Sequence, residues 1–129
     1  MNMRDSIAAA RLSGPILSLG CAGASAAAAF EYCFRADDPT FAGHFPGRPL
    51  LPGAFQVELA RQAAELSLGG PLTLKEVPKA KFLRPIMPDE MIQVELKHSE
   101  TGGAIQARVR VTVAGQPAAD LLLILVRSA

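Results

Sequence analysis

The sequence predicts an α+β domain, a curved antiparallel β-sheet wrapped around one central α-helix, and three features carry that expectation. Residues 53–68 are good helix formers with no Pro or Gly in the interior, and Gly69-Gly70-Pro71 ends the run. Extended segments lie on both sides of it, two of them after the helix alternating apolar and polar residues with the period of a half-buried strand. A stretch at 37–53 holds four prolines and three glycines, a rigid irregular loop leading into the helix.

Taken in order, residues 5–12 are expected as a short helix broken by Gly14-Pro15, with 15–21 and 26–35 extended. In the second of these, Phe30, Tyr32 and Phe34 fall on one face and Glu31, Cys33 and Arg35 on the other. The helix at 53–68 is apolar around most of its circumference. At 100° per residue Glu58, Arg61, Gln62 and Glu65 collect on one narrow stripe, so the rest must be covered by other structure. Four strands follow at 73–84, 91–99, 104–114 and 118–127, with turns at 85–89, 101–103 and 115–117. Ile92, Val94 and Leu96 oppose Gln93, Glu95 and Lys97, and Ile105, Ala107, Val109, Val111 and Val113 oppose Gln106, Arg108, Arg110 and Thr112. The continuous apolar run 121–126 is expected to be covered on both faces. This order fits the hot-dog arrangement as one candidate among several.

With 129 residues, half of them hydrophobic, the chain is long enough for one domain with a real core and too short for two, so residues 1–129 are read as a single domain. Thirteen basic residues against twelve acidic ones leave no global field to hold nucleic acid or an anionic membrane. Cys21 and Cys33 have neither disulfide-framework nor zinc-ligand spacing and read as small buried hydrophobes, and no metal site is expected. Asp5, Arg11, Gly14 and Pro15 interrupt the apolar N-terminal stretch, which favours a soluble cytoplasmic protein over a secretory leader.

The loop and helix start read Phe41-Ala42-Gly43-His44-Phe45-Pro46-Gly47-Arg48-Pro49-Leu50-Leu51-Pro52-Gly53, with Glu58 five residues later and Gln62 one turn further. This string resembles the 3-hydroxyacyl-acyl carrier protein dehydratases of fatty acid synthesis at every fixed position of their Gly-His-Phe-Pro-Gly-x-Pro-x-x-Pro-Gly loop. A second string, Lys79-Ala80-Lys81-Phe82-Leu83-Arg84-Pro85-Ile86-Met87-Pro88-Asp89, is similar to the family's next strand and turn. The resemblance covers roughly residues 30–127. Residues 1–29 lack the usual Pro-His-Arg-type opening of the housekeeping enzymes, and Ala54 stands where those commonly have Val. A specialised polyketide or aryl-polyene enzyme is therefore as compatible as the fatty acid one.

Elimination of water from a 3-hydroxyacyl thioester needs a base for the C2 proton, a donor for the departing hydroxide and stabilisation of the thioester oxygen. His44 suits the first near neutral pH. Glu58, on an otherwise apolar helix, suits the second if burial raises its pKa. The Gly53 backbone N–H at the helix start suits the third, and Gln62 can orient Glu58. Phe45, Pro46, Gly47, Pro49 and Pro52 read mainly as loop stiffeners. Arg48, Lys79, Lys81 and Arg84 are an ordinary charged face or a dock for acidic carrier protein. Arg61, Glu65 and His98 are expected at solvent.

The resemblance further implies a homodimer in which each site takes its histidine and carboxylate from different protomers, with sheets joined edge to edge; a higher oligomer of dimers, or a heterodimer with another hot-dog subunit, stays open. It implies no cofactor beyond the phosphopantetheine that carries the acyl group. Two other functions remain open. A hot-dog thioesterase would use Glu58 to activate water, and a non-catalytic acyl-binding subunit would leave the chemistry to a paired protein.

Overall fold

The computed structural model describes residues 3–19, 26–34 and 53–128. Helix α1 (Met3–Ala10) runs directly into strand β1 (Arg11–Leu19), and β2 is Ala26–Tyr32. The long helix α2 (Gly53–Leu68) is followed by β3 (Leu72–Phe82), β4 (Ile92–Thr101), β5 (Ala104–Val113) and β6 (Gln116–Arg127). All six strands form one antiparallel sheet in the order β1-β2-β4-β5-β6-β3, so β1 and β3 are its edges. Helix α2 packs against α1 and against β1, β3, β4 and β6, the central position expected for it.

The alternation read from the sequence sets which face holds the core. Val94, Leu96, Val109, Val111, Leu121 and Leu123 are all buried on the inner face, each contributing roughly 1.5–3 kcal/mol by removal from water. Phe30, Tyr32 and Phe34 join them, the first two rings 6.3 Å apart and tilted by 35°. Two-residue turns close the later hairpins: Gly102-Gly103 and Ala114-Gly115 all have positive φ, as type I′ turns require. Asp89 also has φ 65°, and its N–H donates to the Phe34 carbonyl at 2.7 Å, which gives a steric reason for Gly or Asp at that place in the turn.

The structure departs from the sequence reading at several points. Gly14-Pro15 does not open a strand but lies inside β1, and the pairing with β2 shifts register on either side of Ser13. An edge strand tolerates the missing proline N–H, and the irregular pairing accommodates it. Pro78 sits in the other edge strand for the same reason. The run 121–126 is not covered on both faces: Leu121, Leu123 and Leu125 are buried, whereas Leu122, Ile124 and Val126 are only half-buried. The helices lie on one side of the sheet, so among the described residues nothing covers the other side of β6 except neighbouring side chains. Cys33 is half-buried, not buried, and Cys21 lies outside the described residues. No helix among the described residues is long and apolar enough to cross a membrane.

Candidate active site

The middle of helix α2 is covered on all sides, its polar stripe included. Arg61 and Gln62 are buried and Glu58 and Glu65 half-buried, while Ala54 and Leu66, one turn before Glu58 and one turn after Gln62 on the same side of the helix, are exposed. The solvent positions expected for Arg61 and Glu65 are thus corrected. Hydrophobic patterning assigns polar residues to water, but here the stripe satisfies itself by pairing and bonding to backbone, so it tolerates burial.

The guanidinium of Arg61 organises this stripe. Its Nε donates to Glu58 Oε2 at 2.9 Å and its Nη2 to Glu58 Oε1 at 2.5 Å, a bidentate pair. Its Nη1 reaches the Leu72 carbonyl at 3.1 Å and Glu65 Oε2 at 2.7 Å, and the same Glu65 oxygen accepts from the Leu72 N–H at 2.9 Å. One guanidinium therefore joins Glu58, Glu65 and the first residue of β3. The bonds to Glu58, and secondarily to Glu65, push the Arg61 pKa further above its ordinary value against the opposing effect of burial.

Gln62 stands one turn beyond Glu58 and lines a cavity of about 530 Å³ with Glu65, Leu66, Tyr32, Arg11 and the 69–71 turn. Tyr32 is almost completely buried and its hydroxyl has no hydrogen-bond partner among the described residues. Burial pushes that phenol up to about 12, with the positive charge of Arg11 acting weakly the other way.

Gly53 opens α2, about 7.5 Å along the axis from Glu58 at 1.5 Å per residue. A Cβ at Gly53 would lie 3.1 Å from the Phe82 Cζ, so the ring at the end of β3 closes over the glycine backbone. Helix starts leave N–H groups without intrahelical partners, and such groups favour negative charge. His44 and the loop residues Phe45, Pro46, Gly47, Arg48, Pro49 and Pro52 lie outside the described residues.

Of the remaining basic residues, Lys79 and Lys81 are exposed on edge strand β3, and Arg84 is paired with Glu90 at 3.1 Å. Lys79 borders a groove of about 290 Å³ with Lys97, Arg108, Arg110, Glu95 and Asp120, a mixed but predominantly basic lining. His98 is half-buried in β4, paired opposite Ala26 and Ala107, and burial lowers its pKa more than Glu100 raises it. Among the described residues no group of three or more His, Cys, Asp or Glu side chains could hold a metal ion.

The residue that sequence reasoning missed is Arg61. Its signal was present: Arg61 follows Glu58 by three residues and precedes Glu65 by four, the two spacings at which helix side chains meet.

Comparison with known proteins puts this geometry in context. The family model for ApeI-like proteins, described as ApeI dehydratase, matches residues 22–119. A 3-hydroxyacyl-[acyl-carrier-protein] dehydratase FabZ from Cereibacter sphaeroides is 30% identical over 98 residues, covering 68% of this chain and 63% of that protein. A second, from Ruegeria sp., is 33% identical over 96 residues, covering 65% of this chain and 60% of its own length. The chain thus spans less than two thirds of these relatives. Among solved structures, an uncharacterized protein from Erwinia carotovora subsp. atroseptica superposes with TM-score 0.73 at 20% identity, covering 92% of this chain and 95% of that one. The dehydratase heterocomplex ApeI:P from Xenorhabdus doucetiae superposes with TM-score 0.66 at 23% identity, covering 89% of this chain and 100% of the matched one. At such identities these two structures establish a shared fold, the hot-dog fold.

Proposed function

The chain belongs to the ApeI-like dehydratase family, and from that membership we propose that it removes water from a 3-hydroxyacyl group on acyl carrier protein, giving the trans-2-enoyl thioester. The observation that carries the reading is that the family match, residues 22–119, contains both His44 and Glu58, and that Glu58 belongs to the covered polar stripe of α2. The names of the FabZ relatives, 3-hydroxyacyl-[acyl-carrier-protein] dehydratases, support the substrate class.

In this reading His44 takes the C2 proton, the electron pair forms the C2–C3 double bond, and hydroxide leaves C3 as water with a proton from Glu58. The Gly53 N–H at the positive end of α2 donates to the thioester oxygen as charge develops there. Gln62 holds the Glu58 carboxyl from one turn away. Glu58 in its donor form carries one proton more than the ion-paired form; in that form one carboxyl oxygen keeps its bond to Arg61 while the other delivers the proton. The phosphopantetheine arm carries the acyl group, and no metal or other cofactor is required. Arg48, Lys79, Lys81 and Arg84 dock the acidic carrier protein in the cytoplasm.

The active unit in this proposal is a homodimer that completes each site with His44 of one protomer and Glu58 of the other. The position of β3 at the sheet edge among the described residues, and the exposed Phe82 and Leu83 at its end, support that mode of pairing. The ApeI:P heterocomplex supports a variant in which a second hot-dog subunit replaces one protomer.

One observation favours hydrolysis as a second reading. Glu58 is ion-paired with Arg61, and an ion-paired carboxylate on the central helix is what a thioesterase base uses to activate water. Mass spectrometry of a short 3-hydroxyacyl-acyl carrier protein after incubation with the protein separates the two. The dehydratase reading expects loss of one water from the acyl group, abolished in His44→Ala and Glu58→Gln. Free carrier thiol as the product would replace it with the thioesterase reading, and unchanged substrate across chain lengths would point to a binding subunit.

A further inference from the structure

We infer that Arg61 is the positioning residue of the reaction, fixing the Glu58 carboxyl in its working orientation by tying it to the start of β3; this rests on the functional reading above. Three features separate it from an ordinary helix ion pair. Arg61 is buried, with 7% of its surface exposed, whereas surface pairs at this spacing are solvated and loose. Its Nη1 side is anchored twice, on the Leu72 carbonyl and on Glu65, before its other edge meets Glu58. Glu65 is fixed in turn by the Leu72 N–H, so the guanidinium plane is set by the backbone at the α2–β3 junction. A carboxyl gripped on both oxygens by a plane so anchored has little rotamer freedom.

The test compares the full chain with Arg61→Met, Arg61→Lys and Glu65→Gln, measuring kcat and KM for carrier-bound 3-hydroxyacyl substrate beside circular-dichroism melts. Misplacing a reacting group by about 1 Å costs up to about a hundredfold in rate. Arg61→Met is therefore expected to lower kcat by at least about tenfold with KM within about twofold. Lysine keeps the charge but not the fork, so Arg61→Lys recovers only part of that loss. Glu65→Gln removes one anchor and falls between lysine and wild type. Should the methionine variant not fold, Arg61→Lys and Glu65→Gln decide the matter by the same kcat loss at wild-type folded fraction. Wild-type kcat in a folded Arg61 variant, or a loss confined to KM or matched by the loss of folded protein, overturns the inference alone. A wild-type protein that dehydrates nothing overturns the functional reading and the inference with it.

Discussion

Replacing Tyr32 by Phe is expected to stabilise the protein. The ring is 1% exposed, packs near Phe30 and borders the cavity beside Gln62 and Glu65, while its hydroxyl has no partner among the described residues. An unsatisfied buried hydroxyl costs about 1–3 kcal/mol, and phenylalanine keeps the ring while removing that cost, so a gain of about 1–2 kcal/mol follows. For 129 residues the unfolding entropy is about 0.27 kcal/mol per kelvin, which turns this gain into a Tm rise of about 4–7 °C. The alkaline limb supplies a second reading. Folding holds the phenol at about 12 against 10 for the free side chain, so above pH 10 the unfolded chain gives up its proton first. Stability then falls as pH rises from 10 to about 12, by about 2–3 kcal/mol in all, and Tyr32→Phe lacks that loss. Because Tyr32 is the only tyrosine and there is no tryptophan, tyrosinate absorbance and tyrosine fluorescence report on this residue alone. Urea melts of both proteins at neutral and alkaline pH form the assay. A variant less stable than the parent by more than about 0.5 kcal/mol, or an alkaline slope unchanged by the substitution, would refute the reasoning.

Gly53→Ala should leave the fold intact, with stability within about 1 kcal/mol of the parent. The helix gain from alanine offsets displacement of the half-exposed Phe82 ring, whose Cζ would otherwise stand 3.1 Å from the new methyl. In a steady-state assay the same variant should lose kcat, since the methyl crowds the N–H assigned to the thioester oxygen. Unchanged kcat would remove Gly53 from the mechanism. Reversing Lys79 and Lys81 to Glu should lower kcat/KM for carrier-bound substrate by about three- to tenfold each, most at low salt. Turnover of a short pantetheine thioester should stay at the wild-type level, and a loss with both substrates would place the lysines elsewhere than in docking.

Most of the fold was legible because strong local patterns agree with tertiary burial. The helix at 53–68, the buried aromatic row of β2 and the alternation of β4 and β5 all emerge from periods of 3.6 and 2 that the packed sheet preserves. Two points were not legible for definite reasons. Gly14-Pro15 reads as the boundary between a helix and a strand unless β1 is known to be an edge that can hold a proline, and the apolar run in β6 looks doubly covered unless one knows that the helices lie on one side. On α2, the sequence placed Glu58 and Gln62 one turn apart, as observed, but assigned Arg61 and Glu65 to water. A helical wheel separates polar from apolar positions without saying which side meets the interior. Here Arg61 reverses the usual answer by satisfying two carboxylates and a backbone carbonyl at once.

A site shared by His44 and Glu58 is the centre of the proposed mechanism, and subunit complementation tests it most directly. His44→Ala and Glu58→Gln are purified separately as inactive proteins, then co-expressed with different tags and assayed for water loss from carrier-bound substrate. In a mixed dimer one site loses both groups and the other keeps both. Random pairing should therefore restore about a quarter of wild-type activity. Activity that stays at the level of the single variants would contradict the shared site, and full activity in either variant alone would contradict the assignment of that residue.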